Sequence, residues 1–549
     1  MSDEHKQVLV VGGGMAGLSA TVFLAWHGVS TLVVERHAET LLHPRARGIN
    51  PRSVELLRQV GLEPELQANR AMGAVATEQA NQMLRAETLA SEEYVVDELS
   101  PGDMRGVSPC AWCAIDQDRL EIVLSKRAAE LGADIRFGTE VVGFDQDADR
   151  VTAVLRDLAS GNEQTVTADY LVGADGWRSG VRERLGVEFA GPGVLMETLS
   201  VVFEADLAPV LRGRQPGLAF LSRPSEKTIV FPHDGDRAWV FGMPYYSADE
   251  TPLESVSEDQ VLRWIREAVG VPDLDVSLKV QIPQTGAKLL SFPIGGYTAD
   301  RFCEGRVFLA GDAARMVPPS GAFGGSSGIA DAHNLAWKLA CVLRGEANEE
   351  LLETYDAERR QVSLFTLEQA MARMAGRGDA DHPGESESAV EVDGTVIHPY
   401  WSVIFGYRYR SAAVLGCDPT DREPVFAPRN LRGQPGSRAP HLPLVHDGRE
   451  ISALDLYGAG WVLLAGEQGA DWIAASRSEA ARRGLRLTAH HVGGDLQDPT
   501  GGWPERYGVG ADGAVLVRPD GFVAWRSVGL PLEPAAALDR ALTSLLRLG

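Results

Sequence analysis

The chain has 549 residues, more than one hydrophobic core supports, which implies about three domains. Its hydrophobic fraction of 44% and charged fraction of 23% are those of a globular protein and exclude disordered and fibrous classes. With 52 basic against 76 acidic residues, a net charge of -24, a sequence-independent grip on nucleic-acid phosphates or anionic lipid is excluded as its main task.

The first residues, MSDEHKQ, are polar, the apolar run after them stops at Gly12, and no later stretch reaches the roughly 18 apolar residues of a membrane span. A cytoplasmic location is expected. Five cysteines spread along the chain do not suggest a disulfide framework. Cys110 and Cys113 form a CxxC pair without a second pair or a histidine nearby, so no metal is expected there or elsewhere.

Residues 7–11 (QVLVV) read as a short buried parallel strand and residues 15–26 (MAGLSATVFLAW) as a helix stopped by Gly28. Between them stands Gly12-Gly13-Gly14-Met15-Ala16-Gly17, a GxGxxG where a strand turns into a helix. Gly12 permits the tight turn, Gly14 lets a pyrophosphate approach the backbone, and Gly17 lets helix and strand pack closely. The helix N-terminus, with Met15 and Ala16, then faces the phosphates. A second strand over residues 30–34 delivers Glu35, followed by Arg36, where a carboxylate binds an adenosine ribose. The same glycine pattern at Gly508, Gly510 and Gly513 has no strand before it or helix after it and reads as a turn.

Two more strand ends carry small residues and a carboxylate. Residues 168–182 (ADYLVGADGWRSGVR) present Asp175, and residues 306–315 (RVFLAGDAAR) present Gly311 and Asp312, each suited to a sugar or ribityl hydroxyl at close backbone range. The three motifs in this order resemble those of the group A flavoprotein aromatic hydroxylases, the family of para-hydroxybenzoate and phenol hydroxylases. The resemblance implies FAD as cofactor and NADPH or NADH with O2 as co-substrates. It also implies hydroxylation of a phenolic, heteroaromatic or polycyclic polyketide-type substrate through a flavin C4a-hydroperoxide.

The resemblance extends to HPRA at residues 43–46 with NPRSVELLR at 50–58, which puts Arg45 over the flavin, and to Gln117, which falls at the ribityl chain. The loop PPSGAFGGSSG at residues 318–328 opens an evident helix over 330–342. By the same resemblance the backbone of Gly324, Gly325 and Ser326 faces the flavin pyrimidine, and the Pro319 carbonyl lies on the substrate side. Arg315 and Ser326 depart from the histidine and asparagine of many relatives.

Residues 196–281 are rich in strand-like runs with turn punctuation, which suggests an antiparallel sheet over the substrate. Phe231, Trp239, Phe241 and Tyr245, with Phe220 and Tyr246, are candidates for an aromatic pocket; most aromatics in strands are plain core, so about two of the six are expected to touch substrate. His233, His333 and Arg373 are candidates for favouring a phenolate. Residues 376–394 are acidic and poor in large apolar groups, as a linker is. Strands at 461–465, 485–491, 514–517 and 522–525 with helices at 470–483 and 534–547 give thioredoxin-like content, and the last cysteine is Cys417, so thiol chemistry is excluded there.

The expected fold is α/β. A Rossmann-like FAD-binding domain (GxGxxG βαβ), residues 1–75, 108–190 and 286–375, is interleaved with an antiparallel-sheet substrate domain, residues 76–107 and 191–285. A linker and connecting helix (376–440) lead to a thioredoxin-like domain (441–549). A Baeyer-Villiger oxygenase on the same scaffold and a non-catalytic flavin carrier stay open as alternatives, as does self-association.

Overall fold

The computed structural model describes residues 4–39, 46–69, 82–98, 104–233, 237–245, 255–282, 285–375, 389–392, 394–418 and 420–547. The amino-terminal strand, Glu4–Val11, sits inside an eight-stranded sheet, parallel to Thr31–Glu35 on one side and to Glu163–Gly173 on the other. Asp134–Phe137 and Val307–Leu309 extend the parallel array at the two flanks. Val8 to Val10 are fully buried, as a central parallel strand requires. The helix Met15–Trp26 follows the glycine loop over the residues expected from the sequence.

A second sheet has nine strands and is antiparallel apart from the pairing of Leu218–Leu221 with Gln82–Ala86. Its long members are Phe189–Glu204 and Leu289–Ala299, flanked by Ala238–Tyr245 and Thr228–Pro232. The helix Glu258–Val269 lies on one face. It starts at Ser257, whose side chain accepts the Gln260 N–H, carries Glu258 and Asp259 in its first turn, and stops at Gly270 in the left-handed region. Its Val261 and Ile265 share one apolar core with Leu199, Val201, Phe203, Trp239 and Phe241.

That core corrects the aromatic reading. Trp239, Phe241 and Tyr245 are buried at 4%, 0% and 8% exposure on the helix-covered face, so they are core rather than pocket wall. Side chains alternate along a strand. Phe231 pairs with Val240, which pairs with Val202, and this row points to the other face. Phe220, Ile229, Phe231, Phe292 and Ile294 are half-buried there. Tyr246 lies outside the described residues.

The carboxy-terminal part has a four-stranded sheet in the order Leu487–His491, Trp461–Ala465, Ala514–Val517, Val523–Ser527, with helices Ala470–Arg483 and Pro534–Leu545. The first pair is parallel and the others antiparallel, which is the expected βαββα content. A three-stranded sheet of Pro443–His446, Arg449–Ser452 and Leu496–Gln497 packs beside it and was not read from the sequence. Gly508 ends the short helix Trp503–Tyr507 at φ 63°, so the second glycine pattern is a turn. Cys110 and Cys113 form no disulfide and are buried, and burial pushes the Cys110 thiol up, away from thiolate reactivity.

Two buried carboxylates hold this part to the parallel-sheet body. Glu55 accepts Arg438 Nε at 2.9 Å and Arg438 Nη2 at 2.5 Å, together with the Ser108 hydroxyl at 2.5 Å. Glu358 accepts both Nη atoms of Arg518 at 2.5 and 2.8 Å, Lys338 Nζ at 2.8 Å, Asn334 Nδ2 at 2.8 Å and the Ser411 hydroxyl at 2.6 Å. Arg518, Lys338 and Glu358 side chains are 0% exposed.

Candidate functional site

The glycine loop and the Pro318–Gly328 loop meet. A Cβ built on Gly325 would lie 3.2 Å from Met15, and one on Gly328 would lie 3.2 Å from the Ala16 Cβ. Two turns further along, Phe23 packs edge-on against His333 at 4.7 Å. The helices Met15–Trp26 and Gly324–Leu343 therefore run side by side in the same direction, with adjacent N-termini. Neither N-terminus has a side-chain cap. Their first backbone N–H groups and both positive dipole ends converge on one region.

FAD fits this region. A Cβ on Gly14 would meet nothing closer than Glu121 Oε1 at 3.7 Å and one on Gly324 would meet nothing within 4 Å, so open space lies before both loops. Gly17 has no such freedom, because an added Cβ would stand 1.9 Å from the Gly12 carbonyl oxygen. Gly12 itself is at φ 106°, against Ala174, where the strand ending at Gly173 meets the loop. These are the turn and packing tasks read from the spacing.

Glu35 reaches the loop. Its carboxylate accepts the Gly13 N–H at 2.6 Å and the His37 N–H at 2.9 Å, and lies 2.5 Å from His37 Nδ1. Burial raises its pKa, but those hydrogen bonds outweigh burial and hold the carboxyl below the usual range. Arg36 is exposed beside it. Gln117 opens the helix Gln117–Glu130, donates its backbone N–H to the Ala46 carbonyl at 2.9 Å, and its Nε2 to Glu121 Oε1 at 2.7 Å. It thus stands across the space before Gly14.

Asp175 differs from expectation. Its oxygens are taken by the Ser179 hydroxyl at 2.5 Å and the Val181 N–H at 3.1 Å, so it braces the start of the helix Gly180–Arg184. Burial raises its pKa despite those bonds. Asp312 is exposed in the short 3-10 turn Gly311–Ala313, and a Cβ on Gly311 would sit 2.6 Å from the Ala16 Cβ. This turn is the third side of the region.

Arg315 does not face the open space. It is 1% exposed and donates to Asp331, which also accepts the Gly311 N–H at 3.1 Å and Arg359 Nε at 2.7 Å. Arg359 continues to the Tyr409 hydroxyl at 3.0 Å and the Ser327 carbonyl at 3.3 Å. A buried guanidinium-carboxylate chain therefore fixes both the Gly311 turn and the start of the long helix. Sequence reasoning missed Asp331 and Arg359, since helical charges read by default as solvated. The Ser326 hydroxyl accepts the Asn50 N–H at 3.3 Å. The Pro319 carbonyl accepts the Ala322 N–H at 2.8 Å, within its own loop.

Arg45 lies outside the described residues. Its neighbour Arg47 donates Nε to Asp116 at 3.2 Å and stands 5.0 Å over the Phe231 ring. Asp116 Oδ2 is 3.5 Å from His233 Nδ1. This cluster links the open face of the antiparallel sheet to the segment before Gln117. Burial raises the Asp116 pKa, and His233 and Arg47 more than reverse it, so the carboxylate is ionised.

Two candidates for favouring phenolate are committed elsewhere. His333 is buried, contacts Gln59 Oε1 at 2.8 Å, and burial pushes its pKa down to about 3, so it is neutral and is not a working base near pH 7. Arg373 donates to the Gln369 carbonyl and Oε1 at 3.1 Å each and to the His398 carbonyl at 2.6 Å, 5.5 Å from the Phe323 ring. It fixes the wall behind the Pro318–Gly328 loop.

Residues 5–370 match the family described as FAD binding domain, and residues 432–547 match the aromatic-ring hydroxylase C-terminal domain. The chain is 42% identical to tetracenomycin B2 monooxygenase-dioxygenase of Streptomyces olivaceus, over 98% of each chain. It is 39% identical to 4-methyl-5-nitrocatechol 5-monooxygenase of a Burkholderia species, over 99% of this chain and 98% of that one. Among solved structures, the ternary complex of aklavinone-11 hydroxylase with FAD and aklavinone superposes over 100% of both chains with a TM-score of 0.89 at 36% identity. No helix among the described residues is long and apolar enough to cross a membrane. With the glycine-loop body and the thiol-free carboxy-terminal domain both matched, the chain belongs to the FAD-dependent aromatic-ring hydroxylases.

Proposed function

We propose that this enzyme hydroxylates a phenolic ring of a polycyclic aromatic polyketide, taking electrons from NADPH or NADH and oxygen from O2. The observation that carries the reading is the pair of same-direction helices with adjacent uncapped N-termini. One positive end suits the pyrophosphate of FAD, and the other suits the negative charge that gathers on the pyrimidine of a reduced flavin. Bound FAD supplies the oxygen-transfer chemistry, and the chain supplies placement.

In this reading the backbone of Gly12, Gly14, Met15, Ala16 and Gly17 receives the pyrophosphate. Glu35 and Arg36 hold the adenosine ribose, and Gln117 and Asp312 flank the ribityl chain. Gly324, Gly325 and Ser326 offer backbone N–H groups to the pyrimidine, and Arg45 closes over the ring. Arg373 acts as a positioning residue through Phe323 and His398 rather than at the reacting atoms.

The open sheet face supports a polycyclic substrate over a single ring. Its half-buried apolar side chains run from Phe220 through Phe231 to Phe292, crossing five adjacent strands. At about 4.8 Å between strands this is roughly 19 Å of apolar surface. NADPH oxidation and product mass should be measured with simple phenols, nitrocatechols and tetracyclic polyketide aglycones. Addition of one oxygen atom to a tetracycle is expected. Turnover of small phenols alone would sink the polycyclic assignment, and absence of oxygen addition with every compound would sink hydroxylation.

A further inference from the structure

The carboxy-terminal domain carries a side-chain cluster that hydroxylation does not use. His446 ends the strand Pro443–His446, His490 lies in Leu487–His491 of the neighbouring sheet, and Asp495 lies in the turn before Leu496–Gln497. One ligand-capable atom from each falls within 4.8 Å of the other two. The two imidazoles meet edge to face with centroids 5.5 Å apart. His490 Nδ1 is 2.8 Å from one Asp495 oxygen, while the other oxygen accepts the His491 N–H at 2.6 Å. The turn is closed by the Gly493 N–H on the Leu496 carbonyl at 2.7 Å and the Gly494 N–H on the His491 carbonyl at 2.9 Å. The carboxylate is therefore held by backbone with one oxygen aimed at an imidazole.

We propose that His446, His490 and Asp495 form a binding site for a divalent transition-metal ion of the zinc class, which ties the three-stranded sheet to the four-stranded one. Two imidazoles and one carboxylate are the donors such ions take, whereas magnesium and calcium prefer oxygen alone. Bonds of about 2.0–2.2 Å place tetrahedral ligand atoms about 3.4 Å apart. From 4.8 Å the triangle closes to that size by rotation of His446, which ends its strand and is 33% exposed at its side chain, while Asp495 stays on its turn. The ion takes the place of the proton between His490 and Asp495. The fourth position falls to water or to Asp447, whose Oδ2 is 4.0 Å from His446 Nε2. Two carboxylates at the site offset the charge of the ion. With no cysteine after Cys417, a metal is the cross-link this domain's composition still allows.

The FAD-loaded full chain, stripped with a chelator, should be titrated with zinc sulfate by calorimetry and followed by thermal unfolding. One equivalent is expected to bind, with unfolding raised by about 5 °C at hundredfold excess over Kd, and magnesium should produce neither effect. H446Q and H490Q should each weaken zinc binding about tenfold or more. H446Q is the safer variant, since its residue is part-exposed and at a strand end. If the H446Q, H490Q double variant binds zinc as the parent does, or the parent binds none, His490 and Asp495 are a turn brace and the proposal fails.

Discussion

Asp331 accepts Arg359 Nε at 2.7 Å through one oxygen and, through the other, the backbone N–H of Gly311 at 3.1 Å. A residue 20 positions along the chain thus sets the turn that carries Asp312. Arg315 donates to the same oxygen as Gly311. Asp331→Asn leaves two buried guanidinium groups short of charge, a loss of about 3–5 kcal/mol. Urea unfolding should show this destabilisation, and equilibrium dialysis should show weaker FAD binding.

Asp312→Ala tests the proposed cofactor contact. The residue is exposed, and removing a charge-assisted hydrogen bond to FAD costs about 1.5–3 kcal/mol. The apoprotein should still fold, while FAD affinity falls about tenfold or more. Gly14→Val, which fills the open space before the loop, should give colourless protein. Normal flavin content in both variants would remove the site assignment.

Glu358 is the anchor of the carboxy-terminal domain. Burial raises its pKa, but Arg518 and Lys338 outweigh burial and hold it well below the usual carboxylate range. Since the folded value is depressed, its stabilisation is complete above the unfolded value of about 4.3 and is lost as pH falls below it. Glu358→Gln should cost about 3–5 kcal/mol at pH 7 and flatten the acid limb of the stability curve. Limited proteolysis should release the segment after residue 440 first.

His27 and His333 are both buried, and burial pushes each pKa from 6.5 down to about 3. Between those limits the unfolded chain binds a proton at each histidine and the folded chain does not. Stability should therefore fall as pH drops below about 6.5, by about 1.4 kcal/mol per pH unit for each histidine. Denaturant titrations of His333→Asn between pH 5 and 6 should show a slope smaller by that amount. The pH profile of turnover should keep its shape, because His333 stays neutral throughout the working range. A lost kinetic limb would make it a catalytic base after all.

Arg45→Ala should retain FAD, since the contacts proposed for the loop and Glu35 remain, yet respond poorly to substrate in anaerobic flavin reduction. Arg47→Ala removes the partner of Asp116 and the contact on Phe231, and should loosen substrate affinity more than flavin content. Parental reduction rates in Arg45→Ala would move the role to Arg47.

Much of the glycine loop's geometry was legible because its determinants are local. Gly12, Gly14 and Gly17 act within one strand-turn-helix, and the helix Met15–Trp26 and strand Trp461–Ala465 follow from apolar runs bounded by glycine. Asp175 was misread because a carboxylate at a strand end serves a hydroxyl ligand and a helix start equally well, and only the positions of Ser179 and Val181 distinguish them. Trp239, Phe241 and Tyr245 were misread because alternation gives two faces without saying which one a helix covers. The sequence by itself determined the βαβ loop, its FAD chemistry and the thiol-free terminal domain, all written in short spacings. Tertiary structure alone decided which buried charges meet: Glu55 with Arg438 across 383 positions, and Glu358 with Arg518 across 160. Such pairs leave no local pattern, because a charge is worth burying only when its partner arrives from elsewhere in the chain.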